Sequence, residues 1–270
     1  MRPARSALVA FCVAVLVLAG PGLAGADIAY VVGGSNEFGT LDLPTGNFTP
    51  IGTLTLPSTD TIFGMGFTSD GNLYGIDSQG PSHHLWRIDP ASAVATDLGG
   101  IGQTAIGATA RGKLLFALDE SNNGLLYTVN PSGPTTRTIG NTPFQGDGLV
   151  AFDSSGRLFM GENTFPGDFL WQVDPDTAAA TAIGPIGNII FTGVFSGNTL
   201  YGFNPDGIIY SINTDTGQGT PVGAYVLPNG DPIEAAAPAP STVPEPAGLI
   251  LMGLGSICLL VYQARRRCTC

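Results

Sequence analysis

Two adjacent histidines, His83 and His84, are the only imidazoles in a chain of 270 residues, and they sit in the stretch "SQGPSHHLW". Imidazole is the commonest general base and zinc ligand near neutral pH. Neighbours on a strand point to opposite faces, so one metal ion would not easily take both. No third histidine completes a zinc site. Asp77 and Asp119 are the nearest acidic partners by position, and they are expected one edge of a repeat unit away. His83 and His84 are therefore expected to be solvated loop residues.

The carboxylates are numerous and undistinguished. Twenty-one Asp and Glu residues are present, and no pair stands out as catalytic. The segments "DPDT" at 174–177 and "NTDTGQG" at 213–219 space their side-chain oxygens as a Ca²⁺ site could, yet neither matches an EF-hand loop or a Gly-rich calcium nonapeptide. Asp89, Asn130, Asp174 and Asn213 share one repeat position, where an Asx side chain caps its own turn without any ligand. There is no G-x-S-x-G, no nucleophile–base pair, no phosphate loop and no dinucleotide fingerprint. Cys12, Cys258, Cys268 and Cys270 all fall in the apolar ends, which leaves the body without a thiol nucleophile, a disulfide or a cysteine metal site. The expectation is a non-enzyme with no catalytic residue and no cofactor, Ca²⁺ being the one ion the spacing admits.

Charge narrows the partners further. Every acidic residue lies between Asp27 and Glu245, a span with only Arg87, Lys113 and three further arginines, so its net charge is −16. Such a body repels polyanions, which excludes nucleic acid as a bulk electrostatic partner.

The elements that must position these residues are repeats. A first motif recurs as "YVV" from Tyr30, "LYGID" at 73–77, "LFALD" at 115–119, "LFMGE" at 158–162 and "LYGFN" at 200–204. Its aromatics, Tyr30, Tyr74, Phe116, Phe159 and Tyr201, are spaced by 44, 42, 43 and 42 residues. A second motif follows each time, as in "LWRIDPAS" at 85–92 and "LWQVDPDT" at 170–177. Each unit closes on an apolar–Gly pair: Ile51-Gly52, Leu98-Gly99, Ile139-Gly140, Ile183-Gly184 and Val222-Gly223. Alternation is two-residue within the motifs, and turn residues punctuate them, so the body reads as all-β. Trp86, Tyr127, Trp171 and Tyr210 share one in-facing position, where an inter-unit core role is expected. Repeat one has Gly39 there. Five units of about 43 residues fit a five-bladed β-propeller or an open propeller-like array. Repeat one lacks its first strand, which in a closed ring would come from around Pro232 to Ala237.

The ends are addresses. Arg2 and Arg5, the apolar run Ala7–Leu18 and the small residues Ala24-Gly25-Ala26 compose a secretory signal peptide over 1–26, cut after Ala26. At the other end, 247–264 is uncharged and long enough to cross a bilayer as a helix. Arg265, Arg266 and Arg267 follow, within a basic tail at 265–270 that the positive-inside rule keeps in the cytoplasm. Before the helix, Pro244 and Pro246 hold Val243 and Glu245 extended. These three parts, in this order, resemble the PEP-CTERM sorting signal. The resemblance covers about the last 28 residues, and the "CTC" after the arginines departs from it. It implies export by a Gram-negative bacterium, transient anchoring in the inner membrane, processing by an exosortase, and delivery to the cell surface or exopolysaccharide matrix. The body is then expected over 27–234 and a Pro/Ala-rich stalk over 235–246. A non-enzymatic surface or matrix component is expected, with polysaccharide or another matrix protein as partner. An exported lyase or hydrolase of matrix glycans and a calcium-stabilised adhesion module are the alternatives.

Overall fold

Alternating apolar residues between turn signals build the chain into short antiparallel strands. The computed structural model describes residues 27–57, 60–77, 83–119 and 124–240. The first sheet takes β1 (Ile28–Gly33), β2 (Glu37–Asp42) and β3 (Phe48–Thr53). The second holds β4 (Ile62–Phe67), β5 (Leu73–Asp77), β6 (His84–Ile88) and β7 (Ala95–Gly100). In the third are β8 (Gly107–Arg111), β9 (Leu114–Asp119), β10 (Leu125–Asn130) and β11 (Thr135–Asn141). The fourth has β12 (Gly146–Phe152), β13 (Leu158–Glu162), β14 (Phe169–Val173) and β15 (Ala180–Pro185). The fifth has β16 (Thr192–Ser196), β17 (Thr199–Phe203), β18 (Ile208–Ile212) and β19 (Gly219–Ala224). A last strand, β20 (Ile233–Pro238), returns to the first sheet, whose order is β20-β1-β2-β3.

The result is a closed five-bladed propeller. The inner strands β20, β4, β8, β12 and β16 each touch the next around the axis. Five blades leave a narrow centre, and small residues make room for it. A Cβ on Gly64 would stand 2.0 Å from the backbone nitrogen of Ala108, and one on Gly148 would stand 1.9 Å from the carbonyl of Phe191. The closing strand came from where the repeat pattern required it. Its extent corrects the expected domain boundary: Ala235, Ala236 and Ala237 belong to the ring, not to a stalk, because they pair with Val32, Val31 and Tyr30 in a fully antiparallel ladder. Ala235 and Ala237 are fully buried in the core shared with the second blade, and Ala236 lines the hollow at the centre of the ring.

The apolar–Gly pairs turn out to be β-bulges. Ile51, Leu98, Ile139, Ile183 and Val222 are the extra residues where each outer strand shifts register. A bulge bends and twists the strand locally. The glycine beside it meets the outer turn of the next blade: Gly52 meets Ala93, Gly99 meets Pro134, Gly140 meets Thr177 and Ala178, and Gly184 meets Thr216. Gly223 completes the cycle against Leu43 and Pro44 of the first blade. Ala93 and Ala178 adopt left-handed φ of 60° in these turns, and both methyl groups are buried against the preceding blade's bulge. Hydrophobic clusters fill each inter-blade space, so every core is shared by two sheets.

All inner strands run the same way along the axis. Their N-terminal ends, together with the connecting residues 34–36, 54–57, 60–61, 101–106, 142–145, 163–168, 186–191, 204–207 and 225–232, define one end of the ring, here the loop end. The opposite, tail end carries the tight hairpin turns and the places where residues 27 and 240 leave the ring. The signal peptide, the segment from Ser241 onward including Val243–Pro246, and the apolar 247–264 segment lie outside the described residues.

Candidate functional site

The side chains with chemical potential gather at the loop end, where the second strand of each blade finishes and the third begins. Asp77, Asp119, Glu162 and Asn204 occupy that repeat position. In blade two, Asp77 accepts the indole N–H of Trp86 at 2.8 Å and the backbone N–H of His84 at 2.8 Å. In blade four, Glu162 accepts the indole N–H of Trp171 at 2.8 Å. In blade three the chain of bonds is longer: Tyr127 donates to the carbonyl of Thr104 at 2.6 Å, and the Thr104 hydroxyl donates to Asp119. Burial, ahead of the Asp119 charge, pushes the Tyr127 phenol far above its usual value. In blade five Tyr210 donates to Asn188 at 2.9 Å. The in-facing aromatics are thus inter-blade core with a polar tip, as their repeat position implied. Phe144 stacks on Trp171 with ring centroids 5.0 Å apart. Each of these carboxyls is engaged by an indole, a hydroxyl or a backbone amide, which is what a buried polar group requires.

His83 overturns one expectation. It is not a solvated loop residue: only 6% of it is exposed. Its Nδ1 accepts the backbone N–H of Ala105 at 3.0 Å, and its own backbone bridges to Gln103 and Ile101. Burial lowers its pKa, while the charges of Asp77, Asp119 and Asp60 pull the other way. Asp77 and Asp119 are therefore close enough to act on it, where repeat position alone had set them apart. His84, on the opposite side of the strand, pairs with Asp97 at 3.0 Å and is more than two-fifths exposed. The two rings diverge, as their adjacency required. Among the described residues no three His, Cys, Asp or Glu side chains converge to hold a metal ion.

The Asx residues cap their own turns. Asp174 Oδ1 accepts the N–H of Asp176 at 2.8 Å, and Asn213 Oδ1 accepts those of Asp215 at 2.9 Å and Thr216 at 3.1 Å. Asp89 and Asn130 do the same for Ala91 and Ser132.

Blade one departs from the pattern in two compensating ways. Gly33 stands where the other blades carry Asp, Glu or Asn, and Gly39 stands where they carry the aromatic. Phe48 of β3 fills the space above Gly39, since a Cβ there would meet its ring at 2.6 Å. Glu37 sends its carboxyl to Gly33, where a Cβ would meet Oε2 at 2.8 Å. With no indole to donate, both carboxyl oxygens of Glu37 are buried without a hydrogen bond. Repeat alignment could have found the two glycines. It could not have found the side chains that replace what they lack.

The centre of the ring offers little room. At the tail end, Phe67, Thr109, Phe152, Phe195 and Pro238 surround a hollow of about 50 Å³. Its lining contains no His, Cys, Asp, Glu, Lys or Arg. Ligand pockets run to roughly 300–1,000 Å³. A few waters fit; a sugar ring does not.

Against this geometry, residues 237–267 match the model of the PEP-CTERM protein-sorting motif. The chain carries a PEP-CTERM sorting signal. The match spans Val243, Pro244, Glu245, Pro246 and Arg265, Arg266 and Arg267, and its first residues, 237 and 238, are the last of β20. A PEP-CTERM signal indicates an exported protein routed through an exosortase to the cell envelope or surface. No curated protein matches the chain. In fold, the ring is similar to a chain in the crystal structure of a nidogen/laminin complex. The two share 12% identity with a TM-score of 0.50, over 79% of this chain and 98% of the other. It is also similar to TolB from Acinetobacter baumannii, at 15% identity and a TM-score of 0.51 over 84% of this chain and 61% of TolB. These likenesses establish the propeller fold.

Proposed function

We propose that the mature protein is a non-enzymatic component of the cell surface or exopolysaccharide matrix, in which the propeller serves as a binding scaffold. The observation that carries this reading is the use made of the carboxyls at the recurring strand-end position. Asp77, Asp119 and Glu162 sit at repeated positions and are each spent on a neighbour that holds two blades together. A general acid or base needs a free reach to substrate, within hydrogen-bond distance of the proton it moves. The tail-end hollow, which no ionisable side chain lines, supports the same reading. PEP-CTERM routing to the cell envelope or surface supports such a destination, and the closed ring supplies the scaffold.

The test pairs location with activity. Cells producing the protein are separated into membrane, surface-washed matrix and medium fractions, and the purified ring is incubated with the isolated matrix polysaccharide. Recovery in the matrix fraction, with no new reducing ends and no unsaturated sugar absorbance, is the expected result. Time-dependent release of either product would overturn the non-enzymatic reading, and confinement to the inner membrane would overturn the matrix location.

A further inference from the structure

Two of the connections between blades are clasped by the residue just ahead of a blade's third strand. In blade four that residue is Asp168. Its backbone bonds to Ile186 and Asn188 of the 186–191 connection, and its Oδ2 accepts the N–H of Ile190 at 2.6 Å. In blade two His83 makes the same three bonds to the 101–106 connection. Its backbone bonds to Ile101 and Gln103, and its Nδ1 accepts the N–H of Ala105 at 3.0 Å. The two acceptors differ in kind. An ionised carboxylate only accepts, whereas an imidazole nitrogen accepts only while it is unprotonated. A backbone N–H can only donate, so the bond from Ala105 places the proton of the neutral ring on Nε2. A second proton, on Nδ1, would set two N–H groups against each other across that 3.0 Å.

We propose that His83 is a pH-sensitive latch: a proton on Nδ1 breaks the bond to Ala105, frees the 101–106 connection and opens the loop end between blades two and three. The connection matters to that seam. Ile101 and Ala105 are buried in the apolar cluster that the two blades share, and Thr104 joins Tyr127 to Asp119. The charges that face His83 are Asp77 at the end of β5, Asp119 at the end of β9 and Asp60 ahead of β4. Asp77 is bonded to the Trp86 indole and the His84 N–H, and Asp119 accepts the Thr104 hydroxyl. Burial outweighs the pull of these three carboxylates and holds the folded pKa below the ordinary 6.5. The latch is therefore closed above pH 6.5 and loosens as pH falls from there toward the folded value. Within that window each pH unit raises the open fraction by up to about tenfold. A protein routed to the cell envelope or surface meets the pH of its surroundings, which gives such a latch something to sense.

The test is amide hydrogen exchange of the mature protein, followed by NMR from pH 7.5 to pH 5, each rate being corrected for its intrinsic pH dependence. Protection of the Ala105 N–H is expected to fall about tenfold across this range, while that of Ile190, held by Asp168, stays level. In His83→Asn, whose amide oxygen accepts at every pH, Ala105 should lose no more protection than Ile190. The ¹⁵N shift of Nδ1 reads the same event in the wild type. That nitrogen should be unprotonated at pH 7.5 and gain its proton in step with the loss at Ala105. A proton on Nδ1 at pH 7.5, or Ala105 and Ile190 following one pH course in the wild type, would each overturn the proposal. So would a variant that loses protection at Ala105 as the wild type does. Should the variant fail to fold, the two wild-type readings alone decide.

Discussion

Glu37 and His83 show how much one hydrogen-bond donor decides. Asp77 and Glu162 each receive an indole N–H, whereas Glu37 occupies the matching place in blade one with nothing to accept. A buried polar group left unpaired costs about 1–3 kcal/mol. Glu37→Met keeps the length and removes the unmet oxygens, so we expect the ring to gain about 1–3 kcal/mol in urea unfolding. Loss of stability would mean that the carboxyl has a partner in solution. His83 carries a pH dependence. Burial lowers its folded pKa below the ordinary 6.5, so the unfolded chain binds the extra proton first. Its contribution is complete above pH 6.5 and is lost as pH falls from there through the folded value. Asp77, Asp119 and Asp60 face the ring and moderate the effect. His83→Asn keeps an acceptor for Ala105, and its melting temperature is expected to fall less than that of the wild type between pH 7 and pH 5. Parallel curves would show that His83 does not titrate across the folding transition.

At the scale of elements, the bulges and the closing strand join one blade to the next. Gly184 lies where a Cβ would come within 2.1 Å of the carbonyl of Thr216 in the following blade. Backbone cannot move aside as a flexible side chain can. Gly184→Ala is therefore expected to lower stability by about 1–3 kcal/mol, read as a drop in melting temperature. Gly71→Ala has open space around it, but its φ of +82° strains any Cβ, so it measures the conformational part alone. These elements were legible to different degrees. Five aromatics at near-constant spacing and alternation of period two were enough for five all-β units and the source of the missing strand, but left the strand count per unit and the closure of the ring open. The meaning of the apolar–Gly pairs was not, because a bulge is a relation between two strands and a glycine's purpose lies in the neighbour it lets approach. Ala235–Ala237 fell to the stalk because the stretch is rich in Pro and Ala, and alanine is a poor strand former in isolation. The burial of His83 was hidden for a related reason: its acceptor role depends on Ala105, 22 residues away.

For the whole molecule, the sequence and the fold describe two separable tasks. The closed ring needs no disulfide, because β20 ties the last blade to the first and each bulge glycine seats the next blade's turn. The PEP-CTERM signal begins on the last residues of β20, so folding of the ring and presentation of the signal involve adjoining stretches of chain. The most direct measurement is the intact mass of the protein recovered from a strain with exosortase and from one without it. With the enzyme, the account predicts a chain that starts at Asp27 and has lost the segment after Glu245. Without it, the C-terminal segment should remain. A full-length C-terminus in both strains would contradict the central claim that this propeller is an exosortase substrate.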